Sequence, residues 1–70
     1  MDVLIFKTSV ATPSQASRLQ PMLSALADIK RYTFDLEDCD RVLRIESTRI
    51  ESQTIKHILR MAGFSCEELQ

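Results

Sequence analysis

The apolar run Val3-Leu4-Ile5-Phe6 gives way, across Ser9-Val10-Ala11-Thr12-Pro13-Ser14-Gln15, to apolar spacing of helical period. That junction constrains the fold more than any other stretch, because it sets a central strand immediately before a helix. Continuous apolarity suits a strand paired on both sides, with Leu4 and Phe6 facing one way and Val3 and Ile5 the other. Ala16, Leu19, Leu23 and Leu26 then recur at helical intervals, with Met22 beside them. Thr12 predicts the N-cap, Pro13 suits the first helical position, and Gln15 completes a capping box. Pro21 deletes the bond to the Ser17 carbonyl, which costs about 3 kcal/mol in an unadapted helix. It predicts a kink, or two short helices in near-continuation.

Farther along, Tyr32-Thr33-Phe34-Asp35-Leu36 alternates apolar and polar, as does Val42-Leu43-Arg44-Ile45-Glu46. Joined by the acidic turn Glu37-Asp38-Cys39-Asp40, they predict a β-hairpin with Leu43 and Ile45 inward. Ser47 to Glu51 is a polar connection from which Ile50 dips toward the core. Ile55, Ile58, Leu59 and Ala62 define the inner face of a second helix, with Thr48 or Ser52 available as its cap. Gly63 suits the residue just past that helix, and Phe64 can fold back over its end. A short last strand begins at Phe64-Ser65-Cys66, although Glu67-Glu68 weakens its signal.

Residues 1–70 therefore form one α+β domain of ferredoxin-like βαββα(β) order. The expected sheet is antiparallel, in strand order 4-1-3-2, with two helices on one face and the other face open. A net charge of −1 gives no footprint for nucleic acid. Asp2 before a short apolar run is unlike a signal peptide, and no run approaches the roughly 18–20 residues that span a bilayer. A cytoplasmic, non-membrane protein is expected, in which Cys39 and Cys66 stay reduced.

The whole chain resembles the heavy-metal-associated (HMA) domain, the fold of small copper and mercury chaperones and of amino-terminal modules of transport ATPases. The resemblance rests on Phe6-Lys7-Thr8-Ser9-Val10-Ala11-Thr12-Pro13-Ser14-Gln15-Ala16, Leu19-Gln20-Pro21-Met22-Leu23, Asp35-Leu36, Arg41-Val42-Leu43-Arg44-Ile45 and Ala62-Gly63-Phe64. It implies that Pro21 is a family position. It also implies that the family's two metal-binding cysteines fall on Thr12 and Gln15. A hydroxyl and an amide cannot replace two thiolates for a soft ion such as Cu(I), so no metal ligand is carried over. Thr12 and Gln15 are expected to cap the helix; the alternative is an anion or partner carboxylate at its N–H groups.

The remaining soft or borderline ligands are Cys39, Cys66 and His57. A displaced metal site made by Cys39, Cys66, Asp38 and Asp40 is conceivable, since the topology brings both cysteines to the Thr12 end. Against it, the two thiols lie on opposite sides of the central strand pair, about 10 Å or more apart. His57 falls off the apolar stripe and is expected at the surface. No nucleophile–base pairing and no glycine-rich phosphate loop is present, so neither an enzyme nor a cofactor is expected. On the open sheet face Val3, Ile5 and Val42 form a small apolar patch ringed by charge. The central positions lack the aromatics on which RNA-recognition modules stack bases. The patch suits a protein partner or a homodimer, and equally suits ordinary surface apolarity. The sequence thus predicts a non-enzymatic interaction or regulatory module, with metal handling at the displaced site as the alternative.

Overall fold

A computed structural model describes residues 2–37 and 39–69. The elements run β1 (Asp2–Thr8), α1 (Pro13–Ser24), β2 (Ile29–Asp35), β3 (Val42–Ser47), α2 (Ser52–Met61) and β4 (Cys66–Leu69). All strand pairs are antiparallel, in the order β2-β3-β1-β4. This is the ferredoxin-like sheet that the sequence predicts, read from its other edge.

Burial follows the alternation in β1: Phe6 is fully buried, while Val3 and Ile5 remain exposed. Leu43 and Ile45 from β3 join Phe6 beneath Leu19 and Leu23 of α1 and Ile55 and Leu59 of α2. One sheet face is thus covered by both helices, and that contact is the core. Val10, in the connection between β1 and α1, is also wholly buried. Apolar side chains of this size contribute roughly 1.5–3 kcal/mol each on burial, so the loop residue is as much a part of the core as those on strands.

Several local expectations are corrected. Residues 13–24 form one helix that continues through Pro21. The proline lies in the last turn with its ring at the surface, where the helix surrenders only one of its final bonds. β2 begins at Ile29 instead of Tyr32, because its register with β3 shifts between Ile29 and Arg31. Lys30 is the extra residue of this bulge, and it hides the period of two. The cap position of α2 is Glu51, with no side-chain hydrogen bond, so neither Thr48 nor Ser52 serves. β4 runs through Glu67 and Glu68, whose backbones pair with Lys7 and Phe6. Ser47 is fully buried, and its hydroxyl has no partner among the described residues.

The end of α2 is a Schellman motif. The Phe64 N–H donates to the Leu59 carbonyl at 2.8 Å, and the Gly63 N–H donates to Arg60 at 3.0 Å. Gly63 occupies φ +92°, and a Cβ there would meet nothing within 4 Å. Gly63→Ala should therefore lose about 1–2 kcal/mol through backbone strain alone. Chemical denaturation of the two proteins measures it.

Candidate functional site

The connection from β1 to α1 carries the chain's most distinctive residues, Thr12 and Gln15, and is the candidate site. Thr8, the last residue of β1, is buried and holds the connection's base. Its hydroxyl donates to the Arg41 carbonyl at 2.6 Å and accepts the Val10 N–H at 3.2 Å. The Thr8 N–H lies 3.2 Å from the carbonyls of both Asp40 and Arg41. Arg41 takes the left-handed φ of 49°, and its guanidinium donates to the Leu36 carbonyl at 2.6 Å, closing the hairpin turn.

On the other side of β1 the connection is tied to the segment before β4. The Ser9 N–H donates to the Ser65 carbonyl at 3.2 Å, and the Ser65 N–H donates to the Ser9 hydroxyl at 2.9 Å. The connection is held from both flanks before positions 12 and 15 contribute anything.

Thr12 is the N-cap of α1, with extended backbone, and its hydroxyl accepts the Gln15 N–H at 3.1 Å. The Gln15 amide oxygen reaches back to accept the Ala11 N–H at 2.7 Å. The box is reciprocal, although its second arm lands one residue before the cap. Pro13 has no N–H, and the Ala16 N–H is already bonded to the Thr12 carbonyl. Among the described residues, the N–H groups of Thr12 and Ser14 are those the helix start leaves to an incoming anion.

These residues do not fit a soft metal ion. Their donors are hard oxygens, and both are engaged by backbone N–H groups. Thr12→Ala should cost about 1 kcal/mol in thermal or denaturant unfolding, the usual value of such a cap.

The two thiols, both free, flank the end of β1. Cys39 is exposed in the hairpin turn, whereas Cys66 pairs across from Thr8 and packs its half-buried side chain against the core. Asp40 forms an ion pair with Lys7 at 3.7 Å. Asp38 lies outside the described residues. Among those described, no three His, Cys, Asp or Glu side chains converge as a metal-holding cluster. His57 is exposed on α2.

Burial pushes the Cys66 thiol up to about 11 from 9.0, partly offset by the Lys56 ammonium and reinforced by Glu68. The folded state thus holds this proton more tightly than the unfolded chain. Its contribution to stability is complete below pH 9 and is lost as pH rises from about 9 toward 11. At pH 8 an alkylating reagent should modify exposed Cys39 well before Cys66, as timed peptide mass analysis would record. Equal rates would contradict the inward placement of Cys66.

On the open sheet face Val3 is 47% exposed and Ile5 38%. Val42 is half-buried opposite Lys7, while the residue directly across from Ile5 on β4 is Leu69, 36% exposed. Arg44 lies opposite Ile5 on the other side, and Glu46 pairs with Arg31 at 3.0 Å. The apolar patch is therefore Val3, Ile5 and Leu69, with Val42 at its margin. Leu69 was hidden from sequence reasoning by the two glutamates before it.

No protein-family model matches the sequence, and no curated protein matches it. Solved structures do match its fold. The yeast copper transporter domain Ccc2a, solved in apo and Cu(I)-loaded states, superposes with a TM-score of 0.84 at 18% identity, over 100% of this chain and 97% of that one. Ccc2a within the Atx1–Cu(I)–Ccc2a complex gives 0.82 at 18% identity, over 97% and 94%. The first domain of the human copper chaperone for SOD1, in its copper(I)-loaded form, gives 0.78 at 20% identity, over 94% and 89%. The chain thus has the fold of copper-binding HMA domains. No helix among the described residues is long and apolar enough to cross a membrane.

Proposed function

We propose that this domain is a non-enzymatic protein-contact module on a copper-domain scaffold, with no thiolate site at the β1–α1 connection. The observation that carries this reading is the reciprocal capping of Thr12 and Gln15, which uses both side chains for the helix. In the resemblance these are the positions of the metal-binding cysteines. The scaffold's association with protein is supported by the complex that Ccc2a forms with Atx1. The contact surface in this reading is the open sheet face around Val3, Ile5 and Val42, extended by Leu69.

Titration of the reduced protein with Cu(I) and Zn(II) against a competing chelator tests the reading. The expected result is no stoichiometric binding tighter than micromolar. Tighter binding that disappears with Cys39→Ser or Cys66→Ser would replace it with a displaced site that uses these thiols and the acidic turn.

A further inference from the structure

β2 is an edge strand: β3 pairs with one side of it, and no described strand pairs with the other. An open edge invites pairing with another chain unless its residues guard it. Here the guard is confined to one end. Lys30 is the extra residue of the bulge between Ile29 and Arg31, so the regular ladder runs from Arg31 to Asp35.

Within that regular stretch the side chains are self-complementary. Arg31, Thr33 and Asp35 are exposed on the open sheet face; Tyr32 and Phe34 are half-buried on the helix face. The centre of the stretch is Thr33, with opposite charges two residues to either side. We propose that two copies of this chain pair antiparallel along β2, about a two-fold axis at Thr33.

In that register Arg31 of each copy lies opposite the partner's Asp35, and Thr33 opposite the partner's Thr33. Tyr32 lies opposite the partner's Phe34. The Arg31–Asp35 and Tyr32–Phe34 contacts each occur twice and the Thr33–Thr33 contact once, on the axis, as an isologous interface requires. Directly opposed residues in an antiparallel ladder share a face, so this register keeps all four helices on one side. A slip by one residue would oppose exposed side chains to half-buried ones and put the helices of the two copies on opposite faces. A slip by two, centred on Tyr32 or Phe34, breaks both Arg–Asp oppositions.

A mixed cleft of about 280 Å³ lies between the end of α1 and the start of β2, lined by Leu23, Leu26, Ile29 and Tyr32 together with Ser24, Lys30 and Arg31. Two four-stranded sheets become one of eight strands, which joins both open faces into a single platform. The interface shares no residue with positions 12 and 15, so its test and the metal titration stand or fall separately.

Sedimentation equilibrium across a concentration series provides the test. The chain should be a reversible dimer. Arg31→Glu opposes two acidic pairs across the axis, and Asp35→Arg opposes two basic pairs; each should weaken the dimer about tenfold or more. An equimolar mixture of these two variants should form a heterodimer, because every opposed pair is again of unlike charge. Thr33→Asp supplies a variant whose fold is protected, since Thr33 faces Arg44 within its own sheet. It places two carboxylates against each other on the axis and should also dissociate the dimer, with the circular dichroism melt retained.

A chain that stays monomeric at millimolar concentration overturns the proposal. So does a dimer that survives Thr33→Asp. A dimer that survives it but is lost on Val3→Lys would locate the contact on the open sheet face instead.

Discussion

Thr12→Cys combined with Gln15→Cys should turn this chain into a Cu(I) binder, with a gain in affinity of at least about a thousandfold, or ~4 kcal/mol. The expectation follows from which part of the connection shapes it. Thr8, Ser9, Arg41 and Ser65 hold it from outside positions 12 and 15, so two thiols introduced there enter a formed loop. The nearby helix N-terminus favours their ionised form. The double variant loses the cap, at about 1 kcal/mol, and should remain folded. Chelator competition measures the gain, in a background with Cys39→Ser and Cys66→Ser so that only the new thiols count. An affinity unchanged from the parent would show that the connection lacks the shape its solved counterparts have.

Phe6→Ala should remove about 3–5 kcal/mol of stability, the usual cost of deleting a fully buried ring. A domain of 70 residues has roughly 4–10 kcal/mol in total. The loss is therefore a large share of the total, and the urea midpoint should fall far below that of the parent. Ile5→Ala, one residue away on the open face, should cost less than about 1 kcal/mol. Urea denaturation of the two variants separates the faces of β1. Similar losses for both would mean that the open face is covered in solution.

How much could be read beforehand depended on whether a signal was local. The stripes of α1 and α2, the alternation of β1 and β3, and the glycine stop after α2 all repeat within a few residues. Their spacing survives in the sequence, and the strand order follows from them. The capping of α1 was legible for the same reason, since Thr12 and Gln15 are three positions apart. The start of β2 was not, because one extra residue at Lys30 shifts the register and scrambles the alternation. The polar run ending at Glu51 placed the start of α2, but its cap was not legible, as Glu51 makes no side-chain hydrogen bond. Val10, between Ser9 and Ala11, belongs to no periodic stretch; only the packed structure shows it buried. The hydrogen bond from Ser65 to Ser9 joins residues 56 apart, and nothing in a serine announces a partner at that range. The palindromic charge of β2 was present in the letters, but it acquires meaning only once β2 is known to be an edge.

The paired serines, together with Thr8, have one consequence of a historical kind. In small domains that need a metal to fold, the ligands are also the structural staples, and substituting them destroys the domain. Here the staples and the residues at positions 12 and 15 are different. A lineage could replace both residues at 12 and 15 while forfeiting only a helix cap's worth of stability. The same separation would let thiols enter those two positions at an equally small cost in stability.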